Sequence, residues 1–226
     1  MLQLINTADG SHTLRHLGLQ ETYHSVHGAV QESAHVYIQH GLHYFMDRDQ
    51  PRIIKILEVG FGTGLNALLT LVDKKARDVE KSYDTVEAFP LGEAIVKQLN
   101  YPACLPEKDA APHFMALHRA AWGRPVRLGA NFSIHKTEAD FCSLPLRAGY
   151  YDVVYFDAFG PKVQPGIWAK PVLARVEAAM AKGGILVTYC ASGQFKRDLM
   201  ALGMEVEELP GPPGKRVMVR ACRSCK

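Results

Sequence analysis

A glycine run and four acids could do chemistry in this sequence. Glu58-Val59-Gly60-Phe61-Gly62-Thr63-Gly64 lies between an apolar stretch and a segment with helical character. A chain leaving a strand through such a loop turns sharply, and a ligand can approach its backbone where no Cβ intervenes. The following helix offers unpaired N–H groups. The spacing is G-x-G-x-G, whereas dinucleotide folds prefer G-x-G-x-x-G, and no G-x-x-x-x-G-K-S/T phosphate loop is present. Glu87, in Val86-Glu87-Ala88-Phe89-Pro90, stands at the end of a second strand-like segment; a carboxylate there can accept from both hydroxyls of a ribose. Glu138 follows a third such segment, a place that equally suits an acid favoured by a helix macrodipole. Asp157 follows a fourth, in Phe156-Asp157-Ala158-Phe159-Gly160-Pro161. An acid at the C-terminal edge of a central parallel strand faces the ligand crevice. The same acid could simply cap the following turn.

These residues need an alternating scaffold. Ile53–Val59 reads as a strand, Leu65–Val72 as a helix, Tyr83–Ala88 as a strand and Leu91–Leu99 as a helix. Val126–His135 alternates like one strand, and Tyr151–Phe156 reads as a buried central strand. Trp168–Ala181 is expected as a helix stopped by Gly183-Gly184, followed by a strand at Ile185–Tyr189 and a helix at Gln194–Leu202. Glu205–Leu209 and Arg216–Ala221 form a closing hairpin around Pro210–Gly214. Strands alternating with helices imply a parallel sheet covered on both faces. Between Tyr101 and Pro125 the prolines are frequent and no periodicity stands out. From Ala110 to Thr137 the chain has no acid but carries Arg119, Arg124, Arg127 and Lys136. Residues 1–50 stand apart as an N-terminal extension packing on the core and the substrate side, with 51–226 as the main domain of a single structural unit. Within the extension, Val26, Ala29, Val30, Val36 and Tyr37 share one helical face between Val26 and Phe45.

Length and composition bound the class. The 226 residues fit one domain, and 47% hydrophobic with 22% charged residues excludes a disordered or fibrous chain. No apolar run suits a membrane span and no secretory signal is read at the N-terminus. A net charge of +3 neither proves nor excludes a nucleic-acid partner. Five cysteines, an odd number, argue against a disulfide framework and for a reducing cytoplasm. Seven of the ten histidines lie in residues 1–50, but without H-E-x-x-H no metal is expected. Cys222-Arg223-Ser224-Cys225 lacks the second ligand pair of a zinc site.

The E-x-G-x-G-x-G loop with acids at Glu87 and Glu138 resembles the cofactor site of class I S-adenosylmethionine methyltransferases. More specific are Asp9–Leu14, Glu21–Ser25, Gln31–Val36, Glu58–Asn66, Glu87–Pro90, Phe156–Trp168 and Gly214–Arg216. Together they resemble the tRNA 5-methylaminomethyl-2-thiouridine methyltransferases, the MnmC methyltransferase-domain and MnmD family, over about residues 9 to 221. The resemblance implies an α/β, Rossmann-like class I methyltransferase fold, with a mostly parallel seven-stranded sheet and an antiparallel C-terminal strand. It implies methyl transfer from S-adenosyl-L-methionine to the aminomethyl group of the wobble uridine in the tRNA anticodon loop. It places Glu58, Gly60, Gly62, Gly64, Asn66, Glu87, Glu138 and Asp157 at the cofactor, with Glu138 at the adenine amino group and Asp157 also in catalysis. Tyr23, Glu32, Ser33, Phe159, Trp168, Tyr189 and Lys215 belong around the substrate. Many members carry an FAD-dependent oxidase; no second dinucleotide motif is seen, so neither FAD nor that activity is expected. A cytoplasmic monomer is the favoured form.

For the chemistry, an amine like that of lysine, pKa about 10.4, costs about 4.6 kcal/mol to deprotonate at neutral pH. A carboxylate alone stabilises the ammonium, while a neighbouring sulfonium lowers its pKa, so Asp157 suits an orienting acceptor and proton relay. Arg119, Arg124, Arg127, Lys136, Lys215, Arg216, Arg220 and Arg223 could meet phosphates, and aromatics could stack on a splayed base. Three alternatives remain: methyl or aminopropyl transfer to a small amine such as a polyamine, a nicotinamide-dependent oxidoreductase, and a non-catalytic RNA-binding module.

Overall fold

The two faces of the central strand explain the architecture. Along β4 (Ile53–Val59), Ile54 and Ile56 enter one apolar core while Leu57 and Val59 enter another. Along β8 (Tyr151–Phe156), Val153 and Tyr155 enter the first core, and Val154 and Phe156 the second. Successive side chains of a strand point to opposite faces, so near-continuous apolar runs demand cover on both sides. The computed structural model describes residues 1–224, so Cys225 lies outside the described residues.

The main sheet has eight strands, not the expected seven. To β4 and β8 it adds β5 (Glu80–Glu87), β6 (Pro125–Gly129), β7 (Phe132–Glu138), β9 (Met180–Thr188), β10 (Met204–Pro210) and β11 (Val217–Arg223). Their order is β10-β11-β9-β8-β4-β5-β7-β6. The inner pairs are parallel; β6, β10 and β11 pair antiparallel. The fold is therefore α/β and Rossmann-like, with the expected antiparallel C-terminal hairpin. The eighth strand arises because Val126–His135 is a hairpin rather than one strand, turning after Gly129. Alternation cannot reveal a turn when both arms alternate alike.

Three further differences have local causes. Residues 101–125 contain a 3-10 turn, Tyr101–Cys104, and a helix, Ala110–Arg119, which buries Phe114 and Leu117. Pro112 sits in its first turn, where no intrahelical N–H is lost. Gly183-Gly184 does not stop a helix; it lies inside β9, where the register against β8 shifts. A Cβ on Gly184 would stand 2.9 Å from the Tyr151 carbonyl oxygen, so the pair marks a bulge. Residues 1–22 hold three antiparallel strands, β1 (Leu2–Asn6), β2 (His12–His16) and β3 (Glu21–Thr22), which no sequence pattern indicated.

The remaining helices flank the sheet. They are α1 (Ala29–Ser33), continued by a π-helical segment Ala34–His43 and by α2 (Tyr44–Asp49), then α3 (Leu65–Val72) and α4 (Glu93–Val96). The Ala110–Arg119 helix is α5, followed by α6 (Lys170–Ala179) and α7 (Gly193–Ala201). Among the described residues no helix is long and apolar enough to cross a membrane.

Candidate active site

The glycine loop leaves β4 and enters α3 beside a cavity of about 530 Å³, within the usual ~300–1,000 Å³ of small-molecule sites. Gly60 has φ 93° and Gly62 φ 50°, values that favour glycine. A Cβ on Gly60 would stand 2.9 Å from the Asp157 carbonyl oxygen, and one on Gly62 would stand 3.3 Å from the Tyr23 ring. Gly64 caps α3 behind the loop. Glu87 ends β5, where Gly62 N–H donates to its Oε2 and Phe89 N–H to its Oε1, both at 2.9 Å. Each oxygen keeps a further lone pair for another donor, and Glu87 lines the cavity. The loop is braced from outside as well. His24 Nε2 lies 2.8 Å from Thr63 Oγ1, and His118 Nε2 lies 3.1 Å from the Thr63 carbonyl. Burial pulls both imidazoles down to about 4, so they serve as neutral hydrogen-bonding groups at neutral pH.

Two acids expected at the cofactor, Glu58 and Glu138, do not line this cavity. Glu58 has the parity of Ile54 and Ile56 and is fully buried beneath the loop, outside the cavity lining. Its Oε2 accepts from Thr85 Oγ1 at 2.7 Å, while Oε1 has no partner. Burial holds this carboxyl well above the usual range. Glu138 is exposed at the end of β7 and does not line the cavity; Asp140 and Phe141 do. The strand ends at Glu138, and the chain reaches the cavity wall only from Ala139 onward.

Asp157 lines the same cavity. Tyr37 donates its hydroxyl to Asp157 Oδ1 at 2.6 Å, and Asn66 Nδ2 donates to Oδ2 at 2.7 Å. Burial pushes Asp157 up to about 6; the Tyr37 bond opposes this, the Glu32 charge reinforces it, and Asn66 and Lys215 oppose it. Asn66 thus lines the cavity as expected while its amide grips the aspartate. Tyr23 and Phe159 also line it, with ring centroids 5.0 Å apart in an edge-to-face pair.

The other expected substrate residues form a layer behind Asp157. Glu32 is buried; Lys215 donates to its Oε1 at 2.5 Å and Ser25 N–H to its Oε2 at 2.7 Å. The Lys215 ammonium lies 3.7 Å from the Tyr189 ring centroid, a cation–π contact. Tyr189 donates to the Ala158 carbonyl, and Trp168 Nε1 to that of Phe159, at 2.8 and 2.7 Å. Both aromatics therefore hold the loop after β8. Trp168 is buried against Phe156 and Phe195, so it offers no stacking face. Ser33 is fully buried, and its hydroxyl has no partner.

Several expected phosphate contacts are committed internally. Lys136 is buried, donates to the Leu117 and His118 carbonyls at the end of α5, and sits over Trp122. Burial lowers it to about 8. Arg220 is buried against Glu207 and the Tyr44 ring, and Arg223 pairs with Glu177. Arg124 and Arg216 are exposed. Sequence reasoning missed Tyr37, Asp140, His24 and His118 as site residues. Tyr37 was visible only as one member of an apolar stripe, and Asp140 stood two places after the acid that was chosen.

Residues 128–224 match a family described as S-adenosyl-L-methionine-dependent methyltransferase. The bifunctional protein MnmC of tRNA 5-methylaminomethyl-2-thiouridine biosynthesis from Magnetococcus marinus is 30% identical over 212 residues, covering 88% of this chain and 30% of that protein. Its namesake from Ectopseudomonas mendocina is 28% identical, covering 88% and 32%. The chain thus spans about a third of the length of these relatives. Among solved structures, MNMC2 from Aquifex aeolicus superposes with a TM-score of 0.80 at 25% identity, covering all of this chain and 71% of that one. The CurJ carbon methyltransferase, at 16% identity and a TM-score of 0.50, shares the fold.

Proposed function

The chain belongs to the MnmC-type S-adenosyl-L-methionine-dependent methyltransferases, and from that premise we propose that it methylates the aminomethyl group of a tRNA wobble uridine, giving 5-methylaminomethyl-(2-thio)uridine. The observation that carries this reading is Asp157. It is an oriented carboxylate that lines the cavity together with Gly60, Gly62 and the Tyr23–Phe159 aromatic pair.

The residues fit the cofactor. Gly60 and Gly62 line the cavity, and a Cβ on either would press on the Asp157 carbonyl or the Tyr23 ring that also line it. Glu87 retains acceptor capacity suited to ribose hydroxyls, and Asp140 with Phe141 supplies an acid and an aromatic ring for an adenine. When bound, the cofactor supplies an electrophilic methyl carbon on a sulfonium. The chain's residues do the rest. Asp157 accepts a hydrogen bond from the substrate amine, holds its lone pair toward the cavity, and takes up the proton released as the nitrogen gains its fourth substituent. A carboxyl with a pKa near 6 is mostly ionised at neutral pH and more basic than an ordinary aspartate. Tyr23 and Phe159 supply an apolar edge against which an unstacked base can lie. Arg124 and Arg216 are available to phosphates.

The test offers isotope-labelled S-adenosyl-L-methionine with tRNA bearing 5-aminomethyluridine, and with spermidine in a parallel tube. Products are digested and identified by mass spectrometry. Label in 5-methylaminomethyluridine is expected. Label only in spermidine moves the assignment to small amines, and label in neither rejects the substrate.

A further inference from the structure

The segment Ala34–His43 is π-helical over ten residues. Such geometry is rare, is usually a single turn, and is found frequently at functional sites. Here it brings Tyr37 to the catalytic carboxylate. Gly41 contributes the close approach: a Cβ there would stand 2.9 Å from Val187 Cγ2 and 3.3 Å from the Tyr155 ring. With the backbone so near the sheet, the Tyr37 ring packs 5.3 Å from that of Tyr155, and its hydroxyl reaches past the end of β8 to Asp157. Tyr37 is fully buried and does not line the cavity. Its hydroxyl is committed to Asp157.

We propose that Tyr37 is a positioning residue for methyl transfer: with Asn66 it fixes the Asp157 carboxylate plane and keeps it in the ionised, accepting form. The inference rests on the reading of Asp157 as the amine acceptor. The geometry divides the carboxylate evenly. Oδ1 accepts one bond from Tyr37 and Oδ2 one from Asn66, on residues 120 and 91 positions away. A carboxylate offers about four lone-pair sites, so one on each oxygen stays open to an incoming amine. A phenol at this pH only donates to a carboxylate, so its bond favours the charged form.

Every other group around Asp157 bears on the same balance. Glu32 of α1 opposes ionisation and Lys215 of the β10–β11 turn supports it. Tyr189 after β9 is within electrostatic reach, as are Glu58 of β4 and Tyr83 of β5. Among these, Tyr37 and Asn66 hydrogen-bond the carboxylate directly. A phenol that merely filled the core would leave the carboxyl's titration alone when replaced.

The experiment compares wild type with Tyr37→Phe. First, 13C-aspartate NMR follows Asp157 without substrate, its signal assigned with Asp157→Asn. Removing one hydrogen bond to a charged group should raise the midpoint by about one pH unit. Second, kcat/KM is measured against pH on an anticodon stem-loop carrying 5-aminomethyluridine. The acid limb should move up by the same amount, so the loss is about tenfold greater below the limb than on the plateau. S-adenosyl-L-methionine affinity should stay unchanged. An unmoved midpoint, or a uniform loss across pH with an unmoved limb, overturns the proposal. Replacing all tyrosines by 3-fluorotyrosine in the wild-type chain, which makes the phenol a stronger donor, should lower the midpoint. An unmoved midpoint there overturns the proposal even if Tyr37→Phe fails to fold. Absence of wild-type turnover on the stem-loop would reject the substrate, while the NMR titration would still decide the role of Tyr37.

Discussion

The two ends of the cleft are built by opposite means. The end proposed for the cofactor is made of short βα turns whose residues are near neighbours in sequence: Gly60 to Thr63 after β4, Glu87 to Phe89 after β5, Asp140 and Phe141 after β7. The acceptor end gathers Tyr37, Asn66, Glu32, Tyr189 and Lys215 around Asp157 from four separate stretches. At the first end the main chain dominates, through open Cα positions and N–H groups. At the second, buried side chains dominate, and burial with the Glu32 and Lys215 charges shifts the protonation of Asp157. The cofactor end should therefore respond chiefly to steric change and the acceptor end to charge.

The largest effect tests that contrast at Asp157. Asp157→Asn should lower kcat by about 10³-fold or more, as expected when a general acid–base group is lost, while cofactor affinity holds. It should also stabilise the fold. The folded-state value, about 6, lies above the ordinary 3.8, so the folded protein binds the extra proton between those values. The carboxyl's unfavourable contribution is absent below about pH 4 and complete above about pH 6, where it reaches about 3 kcal/mol. Urea melts should show the Asn variant gaining stability at pH 8 and not at pH 4. A gain at neither pH would mean that the aspartate is not in a desolvated setting.

Gly62→Val is the steric counterpart. Valine at φ 50° is strained by about 1–2 kcal/mol, and its Cβ would press on Tyr23 at 3.3 Å. S-adenosyl-L-methionine affinity should fall at least about tenfold with Asp157 titrating as before. Calorimetry showing normal affinity would remove the loop from the cofactor site.

How much of each end was legible follows from the same contrast. Ile53–Val59, Leu65–Val72 and Tyr151–Phe156 were read with their observed bounds, since strong apolar runs meeting glycine or acid turns leave little freedom. Gly60, Gly62 and Glu87 are legible as cavity-lining positions because a single short turn carries the signal. Tyr37 is not, because a buried tyrosine in an apolar stripe looks the same whether its hydroxyl has work or not. The first 22 residues gave no strand signal; their sheet leans on distant partners, as where the Asn100 side chain accepts from His12 N–H at 2.7 Å. Lys136 was read as a phosphate contact, yet it caps α5 from a strand. Only the fold reveals that those carbonyls lie within reach.

Lys215→Met probes charge without touching the aspartate. It strands Glu32, whose side chain is 5% exposed, while Lys215 itself is 31% exposed. Removing a partner from a buried pair costs about 3–5 kcal/mol, and partial exposure of the lysine puts this case nearer ~2. Asp157 should also titrate higher, because Lys215 lowers it and the unpaired Glu32 raises it. Urea melts and the NMR midpoint should move together; a stability loss with a fixed midpoint would confine the pair to holding the hairpin turn against α1.

The smallest effect separates two neighbouring acids at the cofactor end. Asp140 lines the cavity and also accepts from Cys142 N–H at 2.9 Å, which shapes the turn presenting Phe141. Asp140→Ala should weaken S-adenosyl-L-methionine binding by about 1 kcal/mol, close to the worth of one hydrogen bond. Glu138→Ala should leave it unchanged, because that side chain is exposed and outside the cavity. Here the steric rule for this end meets its one polar exception besides Glu87. If Glu138 carried the larger effect, the turn after β7 would have to rearrange on binding, and the cofactor end would be less preformed than its main-chain hydrogen bonds make it.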